Sequence, residues 1–102
     1  MKELNSFQNP ELKYRGGLRL ALLLMGKLSK IIRKFLTHPP EVRFEEVEYL
    51  LKEFGYIEIR SRGSHHTFEN ADGDVIVIPK KGGKMVKRTY LEQLIKLLNL
   101  ES

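Results

Sequence analysis

The chain has 102 residues, a length that predicts one domain with a single modest hydrophobic core. Its composition, 41% hydrophobic and 30% charged, is typical of a globular protein and excludes a disordered or fibrous one. With no cysteine, the chain cannot form a disulfide scaffold, a thiolate zinc site or a cysteine nucleophile. With no tryptophan and 9% aromatic residues, a large stacking platform for single strands is not expected.

The formal net charge of +5 is unevenly distributed along the chain. Residues 1–40 carry eight Lys and Arg side chains against two Glu. Residues 79–88 contain no acidic residue and five basic ones: Lys80, Lys81, Lys84, Lys87 and Arg88. A local excess of this size predicts an anionic partner more directly than the overall charge does.

Residues 1–17 show no helical or strand period, and residues 1–24 are predicted to be an N-terminal extension, either disordered or the product of an upstream start, since Met25 is a plausible native start. The longest apolar run, Leu20–Met25, is far shorter than the ~20 residues that a membrane span needs. No small-residue cleavage site of a secretory signal follows it, so a cytoplasmic location is favoured.

Residues 25–40 are predicted to form an extra amphipathic helix followed by a Pro-Pro linker. Between Lys27 and Leu36, apolar residues recur at the spacing of one helix face, and Pro39 and Pro40 follow the helix. The opposite face is basic, which is compatible with a solvated face on a docked helix, a membrane surface or RNA. The apolar positions are Leu28, Ile31, Ile32 and Phe35.

Residues 41–102 are predicted to form the main domain. An apolar stripe predicts a helix over Phe44–Phe54 that Gly55 ends. A last helix is predicted from Thr89, with a capping box to Glu92, after a basic loop over Lys80–Arg88. Between them, alternating residues and turn signals predict three short strands: Tyr56–Ser61, Ser64–Glu69 and Val75–Ile78.

This order predicts an α+β fold like that of double-stranded-RNA-binding domains: α-β-β-β-α with a three-stranded antiparallel sheet, preceded by an extra N-terminal helix. Side chains alternate along a strand, so the two histidines of the second strand face opposite ways. Phe68 is expected in the core, which places His66 on the helix side and His65 on the open side. An exposed imidazole beside a basic loop suits acid–base chemistry on phosphodiesters, although such a histidine can also be inert.

The basic loop does not match a nucleotide-binding P-loop, because Met85 follows Lys84 where Ser or Thr is required. Lys84, Lys87 and Arg88 stand just before a predicted helix N-terminus, where positive charges oppose the helix dipole unless an anion is bound. A mobile, solvated loop is the other interpretation. No metal site is predicted, since His65 and His66 diverge and His38 is distant along the chain.

Several elements then follow one another in a specific order. They are Phe54-Gly55-Tyr56, Arg62-Gly63-Ser64-His65-His66-Thr67-Phe68, Asp72-Gly73, the strand Val75–Pro79, the basic stretch Lys80–Lys87 and the helix Leu91–Leu98. Over residues 42–98 these elements resemble HicA-type toxins of prokaryotic toxin–antitoxin systems, also known as YcfA-like proteins.

The resemblance implies a small ribonuclease that cleaves mRNA until a HicB-type antitoxin masks its active site. It assigns the catalytic role to His65, the first histidine after Gly-Ser, with Gly63, Ser64 and His66 supporting the motif. The expected protein needs no metal or other cofactor and no membrane. The residues expected to hold RNA are Arg62, Lys80, Lys81, Lys84, Lys87 and Arg88.

Two other classes of function remain open on the sequence. One is a non-catalytic RNA-binding module that keeps the fold and the basic loop. The other is an interaction protein whose basic surface binds an acidic protein. A long N-terminal segment before the matched region also departs from the typical, shorter family member.

Overall fold

The computed structural model describes residues 18–101, with side chains from Gly26 onward. Its chain divides into two compact units, one ending at Lys30 and one beginning at Ile31. Helix α1 (Leu18–Phe35) begins before Lys27, where the apolar period predicted its start. The last residues of the predicted extension, 18–24, therefore belong to this helix. The remainder of the predicted extension lies outside the described residues.

The second unit confirms the predicted α+β fold. The elements after α1 are β1 (Glu41–Arg43), α2 (Phe44–Glu53), β2 (Ile57–Arg62), β3 (His65–Glu69), β4 (Val75–Pro79), β5 (Met85–Lys87) and α3 (Arg88–Leu97). Strands β2, β3 and β4 form a three-stranded antiparallel sheet in that order, and β1 and β5 pair as a separate two-stranded sheet. Buried side chains from the helices and from the sheet make one core.

Helix α2 forms where the apolar stripe predicts it. Its buried positions include Val47, Leu50 and Leu51, each fully removed from solvent. Acidic side chains occupy its first turn, where they complement the helix dipole. The helix ends because Gly55 adopts a φ of +89°, a conformation that side chains other than glycine rarely adopt.

The β2–β3 hairpin turns through residues 63 and 64, and Gly63 has a φ of +60°. The alternation predicted for the first strand is interrupted by an irregularity between Glu58 and Arg60. Arg60 therefore pairs with Thr67 on the open face rather than sharing the side of Glu58.

Two expectations for the basic segment are wrong. Residues 80–88 are not one loop, because β5 pairs with β1 and places Val42 opposite Val86 in the core. The N-cap of α3 is Lys87, so the predicted capping box from Thr89 to Glu92 does not form. Burying the two valines outweighs the local capping signal, and the N-cap lies two residues before the predicted Thr89.

None of the helices in the described residues is long and apolar enough to cross a membrane.

The segment between α1 and β1 is attached to α3 by His38. Its Nδ1 lies 2.5 Å from Oε2 of Glu92, and its Nε2 lies 3.3 Å from Oε2 of Glu101. Hydrogen bonding to Glu92 raises the pKa of His38 above its ordinary value, against a smaller lowering by desolvation. The folded state therefore favours the charged imidazole.

We predict that this attachment stabilises the fold in a pH-dependent way. The contribution is fully present below the ordinary histidine pKa and is lost as the pH rises through the raised pKa of the folded protein. His38→Asn, which tolerates the φ of +55° at this position, should lower the free energy of unfolding more at pH 6 than at pH 9. Urea unfolding of both proteins measures it, and an equal loss at both pH values contradicts it.

Candidate active site and nucleic-acid interface

His65 is the first residue of the central strand and is exposed on the open face of the sheet. Directly opposite it lie Arg62 on β2 and Pro79 on β4. Residues that face each other across antiparallel strands project from the same side of the sheet. The imidazole of His65 makes no hydrogen bond or ion pair with another described residue, so both ring nitrogens are available.

His66 projects toward the helices, as alternation along β3 requires. Its side chain is 14% exposed, and its Nδ1 lies 2.6 Å from Oε2 of Glu58. A carboxylate can only accept, so Nδ1 carries the proton in this bond. The ring also packs against Phe44, with the ring centroids 4.6 Å apart. These contacts give His66 a structural role and separate it from His65.

The turn before β3 attaches the histidine strand to the basic segment. The backbone N–H of Lys80 donates to the carbonyl oxygen of Ser64 at 2.7 Å. Gly63 supplies the positive φ that the two-residue turn requires. The two motif residues before His65 thus act through the backbone, and they hold the end of β4 beside the start of β3.

A cleft of about 270 Å³ opens beside this point. It lies between the end of β4 and the first turn of α3, and Pro79, the cross-strand partner of His65, forms part of its wall. Three basic side chains and one aromatic ring complete the lining: Lys80, Lys81, Lys87 and Tyr90. The structure therefore places three of the predicted RNA-binding cations together, one strand away from His65.

The predicted RNA-binding cations differ in their contacts with the rest of the protein. Lys80 lies over the ring of Phe44, with Nζ 4.2 Å from the centroid. Lys81 pairs with Glu41 at 3.1 Å, and Nε of Arg88 donates to a backbone carbonyl oxygen. In contrast, no described residue makes a side-chain hydrogen bond or ion pair with Arg62, Lys84 or Lys87.

The end of the sheet away from His65 exposes an unusual amount of apolar surface. Ile57 and Val75 lie opposite Glu69 on either side of β3, and they are 63% and 52% exposed. Ile59 and Val77 are 48% and 42% exposed. Val77 lies opposite Thr67 on the face that carries His65.

Sequence reasoning missed three residues that shape this site. The sequence places Phe44 only in a predicted helix and Glu58 only in a predicted strand, and it does not single out Tyr90. An aromatic residue two positions after the basic segment is the one available signal for Tyr90. Among residues 18–101, no group of three or more His, Cys, Asp or Glu side chains is arranged to hold a metal ion.

Comparison with known proteins now adds to this geometry. A family profile described as the HicA toxin of bacterial toxin–antitoxin systems matches residues 44–100, more than half of the chain. The match covers α2, the three-stranded sheet with both histidines, the cleft and α3. No curated protein and no solved structure matches the chain. The chain belongs to the HicA toxin family, and it is therefore a toxin of a toxin–antitoxin system.

Proposed function

We propose that this toxin is a metal-independent endoribonuclease that cleaves mRNA in the cytoplasm, with His65 as its general acid–base. The observation that carries the proposal is the position of His65, exposed beside a lysine-lined cleft and without a partner among the described residues. Family membership supports a nuclease role in general. The proposed reaction uses only side chains of the protein and needs no cofactor.

In the proposed reaction, His65 removes the proton of a ribose 2′-OH. The 2′-oxygen then forms a bond to phosphorus, the bond from phosphorus to the 5′-oxygen breaks, and that oxygen takes up a proton. The products are a 2′,3′-cyclic phosphate and a free 5′-hydroxyl. An imidazole suits this task because it exchanges protons near neutral pH. Cations in the cleft stabilise the negative charge that develops on the phosphate oxygens.

The cations fall into two groups on this proposal. Lys80 and Lys81 are held by Phe44 and Glu41, which orients them toward one phosphate in the cleft. Among the described residues, Arg62, Lys84 and Lys87 have no such partner, and they supply contacts to the backbone on either side, together with Arg88. The first turn of α3 has no acidic residue to neutralise its dipole, which further favours a bound phosphate.

His65→Ala should lower the rate of RNA cleavage about 100- to 10,000-fold, the usual contribution of general acid–base catalysis. RNA affinity should change little, because the imidazole is not one of the cations. Cleavage by the wild type should persist in EDTA, and a 2′-deoxy residue at the cut position should block it. Denaturing gels of a labelled RNA and growth after induced expression measure these effects.

His38→Asn is the matched control. It also removes a histidine, but His38 lies outside the proposed catalytic machinery, so this variant should cleave RNA like the wild type. An active His65→Ala would overturn the assignment of His65. Rapid cleavage at the 2′-deoxy position would reject the cyclic-phosphate route. A wild type that binds RNA and cleaves none would favour the alternative, a non-catalytic RNA-binding module.

Replacing Lys84 and Lys87 together by Ala should weaken RNA binding and make it less sensitive to salt. Each lost contact to a single-stranded backbone should reduce the slope of log K against log salt by about 0.7, so the pair reduces it by about 1.4. Fluorescence anisotropy at several salt concentrations gives the slope. Lys52→Ala, an exposed lysine in the last turn of α2, should leave it unchanged. An unchanged slope in the double variant contradicts RNA contact at these lysines.

The antitoxin partner that family membership implies is proposed to be of the HicB type and to dock on the open face of the sheet. Four exposed apolar side chains, Ile57, Ile59, Val75 and Val77, favour this surface, because a patch of this kind marks a protein interface. Since β3 carries His65 on the same face, a protein seated there covers the proposed catalytic residue.

Val75→Lys combined with Val77→Lys should release the toxin from its antitoxin while leaving RNA cleavage intact. Both side chains are already exposed, so the fold should tolerate the change. Co-expression of toxin and antitoxin with growth as the readout, and titration of the purified pair, measure the effect. Leu97→Lys, an exposed apolar residue of α3, is the matched control and should remain neutralised. Full neutralisation of the double variant would place the antitoxin elsewhere.

A further inference from the structure

The cleft beside Pro79 combines charge with an aromatic surface. Its lining contains three lysines and the ring of Tyr90, and no acidic residue. Glu41 lies outside the lining and holds Lys81 at 3.1 Å. A volume of about 270 Å³ is just below the usual ~300–1,000 Å³ of sites for drug-sized ligands, which suits one nucleotide unit better than a larger ligand.

Tyr90 is the component that the proposed reaction does not use. It is half-buried in the first turn of α3, at the margin of the buried stripe that contains Leu91 and Leu94. Tyrosine combines an apolar ring with a polar hydroxyl, which suits it to sites that are partly apolar and partly wet. Among the described residues, the side chain of Tyr90 has no hydrogen bond and no ring contact. Within that part of the chain, its ring therefore lines the cleft without a protein partner.

The cleft also lies at a fixed position relative to the proposed catalytic residue. Pro79 pairs with His65, and adjacent strands of a sheet are about 4.8 Å apart. The hydrogen bond from the Lys80 N–H to the Ser64 carbonyl oxygen, at 2.7 Å, holds the start of the basic segment beside the residue that precedes His65. A nucleotide in the cleft is thus a direct neighbour of a linkage at His65.

We propose that this cleft binds the nucleotide next to the scissile linkage of single-stranded RNA, with its base stacked on Tyr90 and its phosphate held by Lys80 and Lys81. The inference rests on the proposed nuclease function and adds the nature of the substrate strand. A base can stack on a side chain only when it has left the helical stack, so duplex RNA is excluded from this site. The site is sequence-tolerant, since every base has a face that can stack.

Binding of a short single-stranded RNA to the full chain carrying His65→Ala tests this proposal, because that protein should cleave the RNA at least about 100-fold more slowly than the wild type. Tyr90→Leu and Tyr90→Ala should raise the dissociation constant about 5- to 150-fold, the effect of losing one stacked base. The salt slope should stay unchanged, which a lost lysine contact would not allow. RNA carrying 2-aminopurine should show stacking as quenched fluorescence that Tyr90→Leu abolishes.

Two controls make the test decisive. Phe54→Leu removes a 38% exposed aromatic ring outside the cleft and should leave affinity unchanged. Tyr90→Phe keeps the ring and should restore most of the affinity and the quenching, and thermal unfolding of each variant checks its fold. Unchanged affinity in folded Tyr90→Leu, or equal binding of a matched duplex, would overturn the cleft proposal even if the wild type cleaves RNA. Loss of affinity in Tyr90→Leu with no cleavage by the wild type would instead support the cleft and reject the nuclease.

Discussion

Pairing of β3 on both of its edges is the constraint on which the site depends. Because β2 and β4 fix the register of β3 from either side, His65 and His66 cannot exchange places without moving Phe68 out of the core. Contact with Phe44 and the 2.6 Å bond to Glu58 add a second constraint on His66. The two adjacent imidazoles therefore have different environments, one shaped by packing and one open to a ligand.

A similar division applies to the basic segment. Strand β5 pairs with β1, and the buried side chains of Val42 and Val86 stabilise this pairing. The pairing gives the backbone of the lysine-rich segment a defined conformation. The partners of Lys80 and Lys81 are of modest strength: a cation–π contact contributes about 0.5–2 kcal/mol and a surface ion pair about 0–1 kcal/mol. Such partners can orient a lysine in the cleft and still yield it to a phosphate, which offers several charged acceptor oxygens.

Features set by local sequence could be predicted, and features set by distant pairing could not. The apolar stripe and Gly55 gave the bounds of α2, and alternation from Phe68 gave the exposure of His65. Strand β5 was missed because three residues have too little period and their partners at 41–43 are remote in sequence. The inward position of Glu58 likewise depends on register and packing, and so does the lack of a partner for the ring of Tyr90 among the described residues. The same holds for the exposure of Ile57 and Ile59, which a hydrophobicity pattern would assign to the core.

The open face of the sheet changes character along its length, and this links the two proposed interactions. At one end stands the row of Arg62, His65 and Pro79, and at the other stands the row of Ile57, Glu69 and Val75. The two rows are four residue steps apart along β3, a distance of about 13 Å at 3.3 Å per residue. An ordinary protein interface covers about 800 Å² on each partner, or roughly 28 Å across if square. A partner centred on the apolar end therefore extends over His65 even if it makes no contact with the imidazole. On this geometry, inhibition requires only that the antitoxin bind the apolar end of the face. Affinity for the antitoxin and the rate of catalysis can therefore change independently, because different side chains of the same face determine them.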